Sequence, residues 1–397
     1  MDFALAEEQI PMTTEIIRVI HNFPIWLPQT QTWMYNQAKN LPGNIDLHIV
    51  CERTRNLEQF LLPNIHCLAA ESRAGFYWEK IRRNLKFRQR ANFLSRITRS
   101  VKADIVHNHF GDIGWTYLKS VRSTGVKHVV TFYGYDVNRL PTEDKKWLER
   151  YQELFDQADA FLFEGPFMAQ QVIGLGCPLE KAKVHHLGIE VAAIPFKPRH
   201  WQSGETFRVL IAGSFIEKKG IPYALEALAQ IQRALSIELT IIGDANPQRH
   251  SQFEKRRILE ILDKSGLKPK TRLLGYQPHK VLFDEAYQHH LFILPSVTAS
   301  NGDTEGGAPV SIIEMMATGM PVVSTSHCDI PEVVQYGMND WLVSERDIQG
   351  LVDRLLWWVN NPSEWDNMLE AGRLHVENEY DAGLQGVRLA QIYQDVL

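Results

Sequence analysis

Residues 303–325 read DTEGGAPVSIIEMMATGMPVVST. Glu305 stands just before Gly306 and Gly307, and Glu314 interrupts the apolar run Ile312-Ile313-Glu314-Met315-Met316. Upstream, LFILPS at 291–296 reads as a strand ending in a turn, and 297–308 as a loop of small and polar residues. Pro309 suits the first helical position, where its missing N–H would have no partner anyway. The helix then runs to Thr318, Gly319 stops it, and Pro321 follows. The segment Gly306-Gly307-Ala308 therefore leads into a helix N-terminus, whose free N–H groups and dipole favour an anion. Glu314 falls in the second turn, about 7 Å along an axis that rises roughly 1.5 Å per residue. A carboxylate so placed is costly unless something hydrogen-bonds to it, and two neighbouring sugar hydroxyls would do so. The stretch predicts an anion at the helix tip with carboxylates reading a polyol around it.

The rest of the chain supplies the frame. Short β-branched runs recur at 16–20, 46–50, 103–107, 128–132, 160–164, 207–213, 238–243, 291–295 and 321–325, and segments of helical spacing such as IPYALEALAQIQRAL (221–235) lie between them. Strand and helix in alternation predict parallel sheets covered on both faces. The proline-rich, aperiodic stretch around 190–206 reads as a linker. The expected division is a domain over 1–195, a linker over 196–206, a second domain over 207–380, and a C-terminal helix over 381–397 that packs back on the first domain. The expected architecture is α/β, with two doubly wound, Rossmann-like domains facing each other across a cleft and ligand beyond the carboxyl ends of the strands. A length of 397 residues fits two cores rather than one.

Composition narrows the function classes. A net charge of −5 argues against a nucleic-acid binder. Cys51, Cys67, Cys177 and Cys328 are scattered, which suits a reduced compartment. The opening MDFALAEEQIPMTTE lacks the basic and apolar regions of a signal peptide, and no apolar run is long enough to span a bilayer. A cytoplasmic protein is expected.

The 303–325 stretch resembles the donor site of retaining glycosyltransferases of the GT-B type, in particular the large group 1, family 4 class. That class carries Glu, seven residues, Glu, within EG…P…EAMA.G.PVV.T, against EGGAPVSIIEMMATGMPVVST here. The likeness extends through LIAGSFIEKKGI (210–221), IIGDANPQR (241–249), LLGYQPHKVL, ADIVHNHFGDIG (103–114), VVTFYGYDVNRLP (129–141) and GCPLEKAKVHHLGIE (176–190). It implies transfer of a sugar from a nucleotide-diphospho-sugar to a glycan or lipid-linked acceptor with anomeric retention, the nucleotide sugar being a substrate and no cofactor being needed. Carried over, Glu314 binds the ribose hydroxyls, Glu305 contacts the donor sugar, and the N–H groups near Gly306, Gly307, Ala308 and Pro309 meet sugar hydroxyls and phosphate. Lys219, in the loop that follows Gly213, neutralises the diphosphate. Three departures stand out: eight residues separate the glutamates, Ser214 replaces the usual arginine with Lys218 nearby to compensate, and Tyr133 replaces the histidine of TFHG. On the acceptor side His109, Asp112, Tyr133 and Asp136 are available, with His109 and Asp136 expected to contact the reacting sugar or acceptor and Tyr133 to donate a hydrogen bond to a hydroxyl or phosphate oxygen.

Other features keep two readings. The HNH at 107–109 places two histidines on one strand face, as metal ligands or as groups bonded to backbone or substrate; nothing at fitting spacing completes a metal site. No Asp-x-Asp pair offers a metal–diphosphate clamp, so a metal-independent enzyme is expected. Lys80 to Lys102 holds nine basic residues and no acid, and from Phe93 onward is amphipathic: a packed helix with a solvated basic face, or one lying on an anionic membrane. The alternative to a transferase is a non-catalytic nucleotide-sugar or glycan-binding protein on the same fold.

Overall fold

The computed structural model describes residues 15–27, 33–57, 62–84, 92–337 and 341–397. The acidic N-terminal stretch 1–14, and 85–91 within the basic segment, lie outside the described residues. In the first half, β1 (Ile17–Trp26), β2 (Ile45–Thr54), β3 (Ile65–Cys67), β4 (Ile105–His109), β5 (Lys127–Phe132), β6 (Ala160–Phe163) and β7 (Ala182–Val184) form one sheet in the order β3-β2-β1-β4-β5-β6-β7. In the second, β8 (Phe207–Ala212), β9 (Ile237–Ile242), β10 (Thr271–Gly275), β11 (Leu291–Ile293) and β12 (Val322–Val323) pair as β10-β9-β8-β11-β12. Neighbouring strands are parallel throughout both sheets. These are the two Rossmann-like sheets expected of a GT-B fold.

The strand runs read from the sequence are all present, because strands covered on both faces must be apolar almost throughout: β6 and β11 are buried at every residue. Three strands were not foreseen, β3, β7 and β10, and each is a sheet edge. An edge has one neighbour and tolerates polar residues, as in Ile65-His66-Cys67 and Ala182-Lys183-Val184.

Strand order reverses direction at β1/β4 in the first sheet and at β8/β11 in the second. Crossovers leave these gaps in opposite senses, so a crevice opens at the carboxyl ends of those strands. His109 ends β4, while Gly213 follows β8 and Ser296 follows β11.

The stretch joining the domains is packed rather than loose. Trp201 is buried with the second core, and buried Arg199 donates to the carbonyls of Ala286, His289 and Thr318. The chain returns to the first domain as the helix Ala382–Val396, begun by Asp381, whose carboxylate accepts from the N–H groups of Gly383 and Leu384. Its Leu389, Ala390 and Tyr393 pack on Ile17, Val19, Ile105 and Val129. In the basic segment, the helix Asn92–Val101 buries Phe93, Leu94 and Ile97 and exposes Arg96 and Arg99. No described helix is long and apolar enough to cross a membrane.

Candidate active site

The helix that the opening stretch encodes runs Val310–Ala317. Pro309 precedes it as the cap residue instead of occupying its first turn, because its ψ of 125° is extended. Glu314 is buried, and the cost of burying it is met by His279, whose Nε2 donates to Glu314 Oε1 at 2.6 Å. His279 opens the helix His279–Ala286, and the hydrogen bond to Glu314 raises its pKa against the effect of burial. Half of the His279 side chain is exposed, so the pair lies at the surface of the crevice with the carboxylate inside.

Glu305 lies on the loop before this helix. Its carboxylate accepts from Lys219 Nζ at 2.9 Å and from Ser296 Oγ at 2.8 Å. Burial alone would raise the Glu305 pKa, but Lys219 and Lys218 hold it below the usual carboxylate range. Lys218 donates to Thr304 O at 2.7 Å and pairs with Asp303 at 3.2 Å. Both cations thus converge from the turn after β8 onto the loop that carries Glu305. Ser214, at the start of that turn, contributes no cation. His327 fixes the same loop: Glu305 N donates to its Nε2 at 3.2 Å, and its Nδ1 meets Glu345 at 2.6 Å.

The first domain closes against this loop. Asn138 Nδ2 donates to Thr304 Oγ1 at 2.8 Å. Gly134 and Gly306 touch backbone to backbone: a Cβ on Gly306 would lie 2.3 Å from Gly134 N, and the Gly306 φ of 83° is itself glycine territory. A Cβ on Gly307 would lie 2.0 Å from Glu164 Oε2. Asp329 reaches across to cap the helix Pro166–Gly174, accepting from Phe167 N at 2.7 Å and Met168 N at 3.4 Å. Burial raises its pKa to about 7, and also pushes that of Glu164 well up, with Asp329 adding like-charge repulsion.

The acceptor-side residues are placed differently from expectation. Asp136 is fully buried, and its carboxylate accepts from Gly111 N at 2.6 Å and Tyr133 N at 2.8 Å. It clamps the loops after β4 and β5 together. His109 is fully buried as well, with Nδ1 2.7 Å from the Tyr133 hydroxyl and Nε2 3.2 Å from His21 Nδ1. The polar atoms of both side chains are committed to protein partners. Tyr133 stands in front of His109, beside Gly134, and burial raises its pKa well above the ordinary value, so it stays protonated. Asp112, in the first turn of Gly111–Arg122, is raised to about 6 by burial.

Sequence reading missed His279, Ser296, His327, Glu164, Asp329 and His21. His21 is the group that HNH lacked: it sits on β1 in register with His107, and the three imidazoles of His21, His107 and His109 offer nitrogens within 4.8 Å of one another. His185, His289 and His290 are buried structural groups; His185 Nε2, for example, meets Gln385 O at 3.0 Å. A surface hollow of about 930 Å³ between Asn92, Arg96, Arg99, Lys119 and Arg122 holds none of the residues that converge on the crevice.

Residues 206–361 match the family described as Glycosyl transferases group 1, and residues 30–193 match Glycosyltransferase Family 4. An amylovoran biosynthesis glycosyltransferase, AmsK of Erwinia amylovora, is 32% identical over 297 residues, 74% of this chain and 70% of its own. The chain belongs to the group 1, family 4 glycosyltransferases. A second relative of this glycosyltransferase, WcaL of Escherichia coli (strain K12), named for colanic acid biosynthesis, is 31% identical over 301 residues, covering 74% of this chain and 71% of its own. Among solved structures, Anabaena HepE with UDP and glucose superposes with a TM-score of 0.75 at 15% identity, over 96% of this chain and all of that one, a likeness of fold. Sucrose-phosphate synthase from Thermosynechococcus elongatus does so with a TM-score of 0.72 at 15% identity, over 96% and 99%.

Proposed function

We propose that this glycosyltransferase moves a sugar from a nucleotide-diphospho-sugar to an acceptor hydroxyl, with retention, in the assembly of an exopolysaccharide. The observation that carries the reading is the meeting, at the mouth of the β8/β11 crevice, of Lys219 on Glu305 and of Glu314 at the foot of an exposed histidine. Departure of a nucleoside diphosphate builds negative charge, and Lys219, Lys218 and the free N–H groups at the tip of Val310–Ala317 are the groups that stabilise it. Glu305 pairs with Lys219 and Asp303 with Lys218. An incoming diphosphate competes for both cations and frees Glu305 for a sugar hydroxyl. Glu314 offers the ribose a carboxylate already aimed by His279.

Retention follows if the acceptor attacks from the face the diphosphate leaves, the departing phosphate oxygen taking the acceptor proton. That route needs no strong protein base, in keeping with an acceptor side whose His109 and Asp136 are buried. It also runs without a metal clamp, with the two lysines in its place. The names of AmsK and WcaL support a polysaccharide product, and the UDP in HepE supports a nucleotide donor. We assign the reaction to the cytoplasm. A lipid-linked acceptor would bring the basic segment 80–102 to a membrane surface.

The test is a panel of nucleotide sugars screened by thermal shift, followed by release of sugar to water from the donor that binds. Raised melting with slow sugar release supports the transferase. Binding with no release and no transfer selects the non-catalytic binding protein, and no binding at all overturns both.

A further inference from the structure

The helix Arg73–Asn84, which follows β3 through the short helix Leu68–Glu71, presents an apolar face to solvent. Phe76 and Glu79 face the protein. Phe76 joins the core with Phe93, Leu94 and Ile97, and Glu79 accepts from Phe93 N at 2.6 Å, which ties this helix to Asn92–Val101. Ala74, Tyr77, Trp78 and Ile81 are exposed on the opposite side. Their spacing of i, i+3, i+4 and i+7 makes one continuous stripe, and Tyr77, Trp78 and Ile81 are 62%, 63% and 49% exposed. Single exposed apolar residues are ordinary, but two aromatics and an isoleucine in one stripe mark a surface that something covers.

The charge around the stripe says what covers it. Arg73 and Lys80 are exposed on the same helix, and Arg96 and Arg99 on the neighbouring one. Arg96 and Arg99 also line the hollow of about 930 Å³ with Lys119 and Arg122 of the helix Gly111–Arg122. Between Leu68 and Lys102 the only acids are Glu71, which pairs with Arg96, and Glu79, which is buried. A chain with a net charge of −5 thus gathers six exposed cations on this helix and the two that carry the hollow. A second copy of the chain docking by two-fold symmetry would set these cations against themselves. A bilayer with anionic lipids satisfies both halves of the surface: tryptophan and tyrosine settle at the level of the headgroups, and lysine and arginine are drawn to their phosphates.

We propose that the stripe Ala74, Tyr77, Trp78 and Ile81 docks the protein on an anionic lipid surface, with Arg73, Lys80, Arg96 and Arg99 against the headgroup phosphates. This moves the membrane face that the sequence places on 80–102. The helix Asn92–Val101 cannot insert, since Phe93, Leu94 and Ile97 are spent on the core. It supplies charge, and the helix before it supplies the apolar face. The placement suits the reaction. β3 ends at Cys67, which pairs in register through Cys51 with Phe23, one residue beyond the pair Asn22 and Asn108. The chain therefore leaves β3 level with His109, at the end of the sheet where the crevice opens. A lipid-linked acceptor held in the same surface would be presented to that end. Only this last step rests on the transferase reading.

The experiment is flotation of the full-length protein with vesicles of phosphatidylcholine alone and of phosphatidylcholine mixed with phosphatidylglycerol. The docking surface predicts binding to the mixed vesicles that salt weakens, and much less to the neutral ones. Trp78→Ser should weaken binding about tenfold, the worth of one large apolar side chain left out of a lipid surface, and Lys80→Gln and Arg99→Gln about fivefold each. Phe253→Ser, at a site 60% exposed on the second domain, should change nothing. All four variants alter exposed side chains and should melt with the unaltered protein. Equal binding to both kinds of vesicle, or to neither, would overturn the proposal, as would binding that Trp78→Ser leaves intact. So would a dimer in sedimentation that Trp78→Ser splits, or binding that appears only once residues 1–14 are removed, since a second copy or that segment would then be what covers the stripe. A protein that floats as predicted but transfers no sugar would keep the docking surface and sink the transferase reading; a transferase that never floats would do the reverse.

Discussion

At the residue scale, the proposed reaction rests on two carboxylates, Glu305 and Glu314, and one lysine, Lys219. Glu314→Ala should weaken nucleotide binding by roughly 1–3 kcal/mol, the range for losing hydrogen bonds to a charged group, while His279→Ala should cost less because the carboxylate that meets the ribose remains. Calorimetry giving equal affinities for Glu314→Ala and the unaltered protein would remove the assigned role. Lys219→Ala should lower turnover for every accepted donor and keep their ranking, because a point charge on the diphosphate acts on leaving-group departure and not on sugar choice. A reordered ranking at normal turnover would count against it. Glu305 and Glu314 could be singled out because one local stretch carries both, and Lys219 because it stands in the short loop after Gly213. Their partners could not. His279 is 35 residues from Glu314, so only the fold brings the pair together. His109 and Asp136 were readable as belonging to the crevice region but not as buried, since a strand-end polar residue looks the same in sequence whether it faces ligand or a neighbouring strand.

At the scale of elements, the mouth of the crevice is a contact between two glycine turns. The Gly134 turn follows β5 and the Gly306 turn precedes Val310–Ala317, and they meet with no room for a side chain. Gly306→Ala adds a Cβ at a φ that disfavours one and aims it at the Gly134 backbone, so it should hold the domains apart while leaving each core intact. The expected result is severe loss of turnover with little change in melting temperature, and, in small-angle scattering, a larger radius of gyration in the presence of nucleotide than the unaltered protein shows. An active Gly306→Ala enzyme would mean that the two turns do not need to touch. The doubled glycine is explained by the same packing, since Gly307 abuts Glu164. The helix itself was readable from Pro309, Gly319 and Pro321; its starting residue was off by one because a proline that caps and a proline that begins a helix leave the same trace in sequence.

Across the whole molecule, burial of polar groups around two parallel sheets has a consequence for stability. Burial pushes His21 down to about 3 and His128, His185 and His290 to about 4, and lowers His107 and His109 well below their usual value. The folded protein refuses protons that the unfolded chain accepts below about pH 6.5, so this stability is whole above that pH and is lost as the pH falls. Each unmatched proton costs about 1.4 kcal/mol per pH unit in that window. Four carboxyls work in the opposite sense: burial raises Asp112 to about 6 and Asp329 to about 7, and lifts Asp136 and Glu164 well up. Their contribution is present in acid and fades as the pH rises. Six histidines outweigh four carboxyls, so urea midpoints should fall steadily from pH 6.5 to 5, and a midpoint that holds or rises would contradict the burial of this set. The architecture was legible because apolar runs in alternation with helical spacing leave few foldings open; the edge strands β3, β7 and β10 were not, because one neighbour demands little of a sequence.

The central claim is transfer from a nucleotide sugar on one face of the ring, and it is tested most directly by watching sugar released to water from the bound donor in real time by ¹H nuclear magnetic resonance. The account predicts that the first sugar to appear carries the anomeric configuration of the donor, before mutarotation mixes the two forms, and that Lys219→Ala slows its appearance. First release of the opposite anomer would contradict retention, and no release from any nucleotide sugar that binds would contradict the transferase itself.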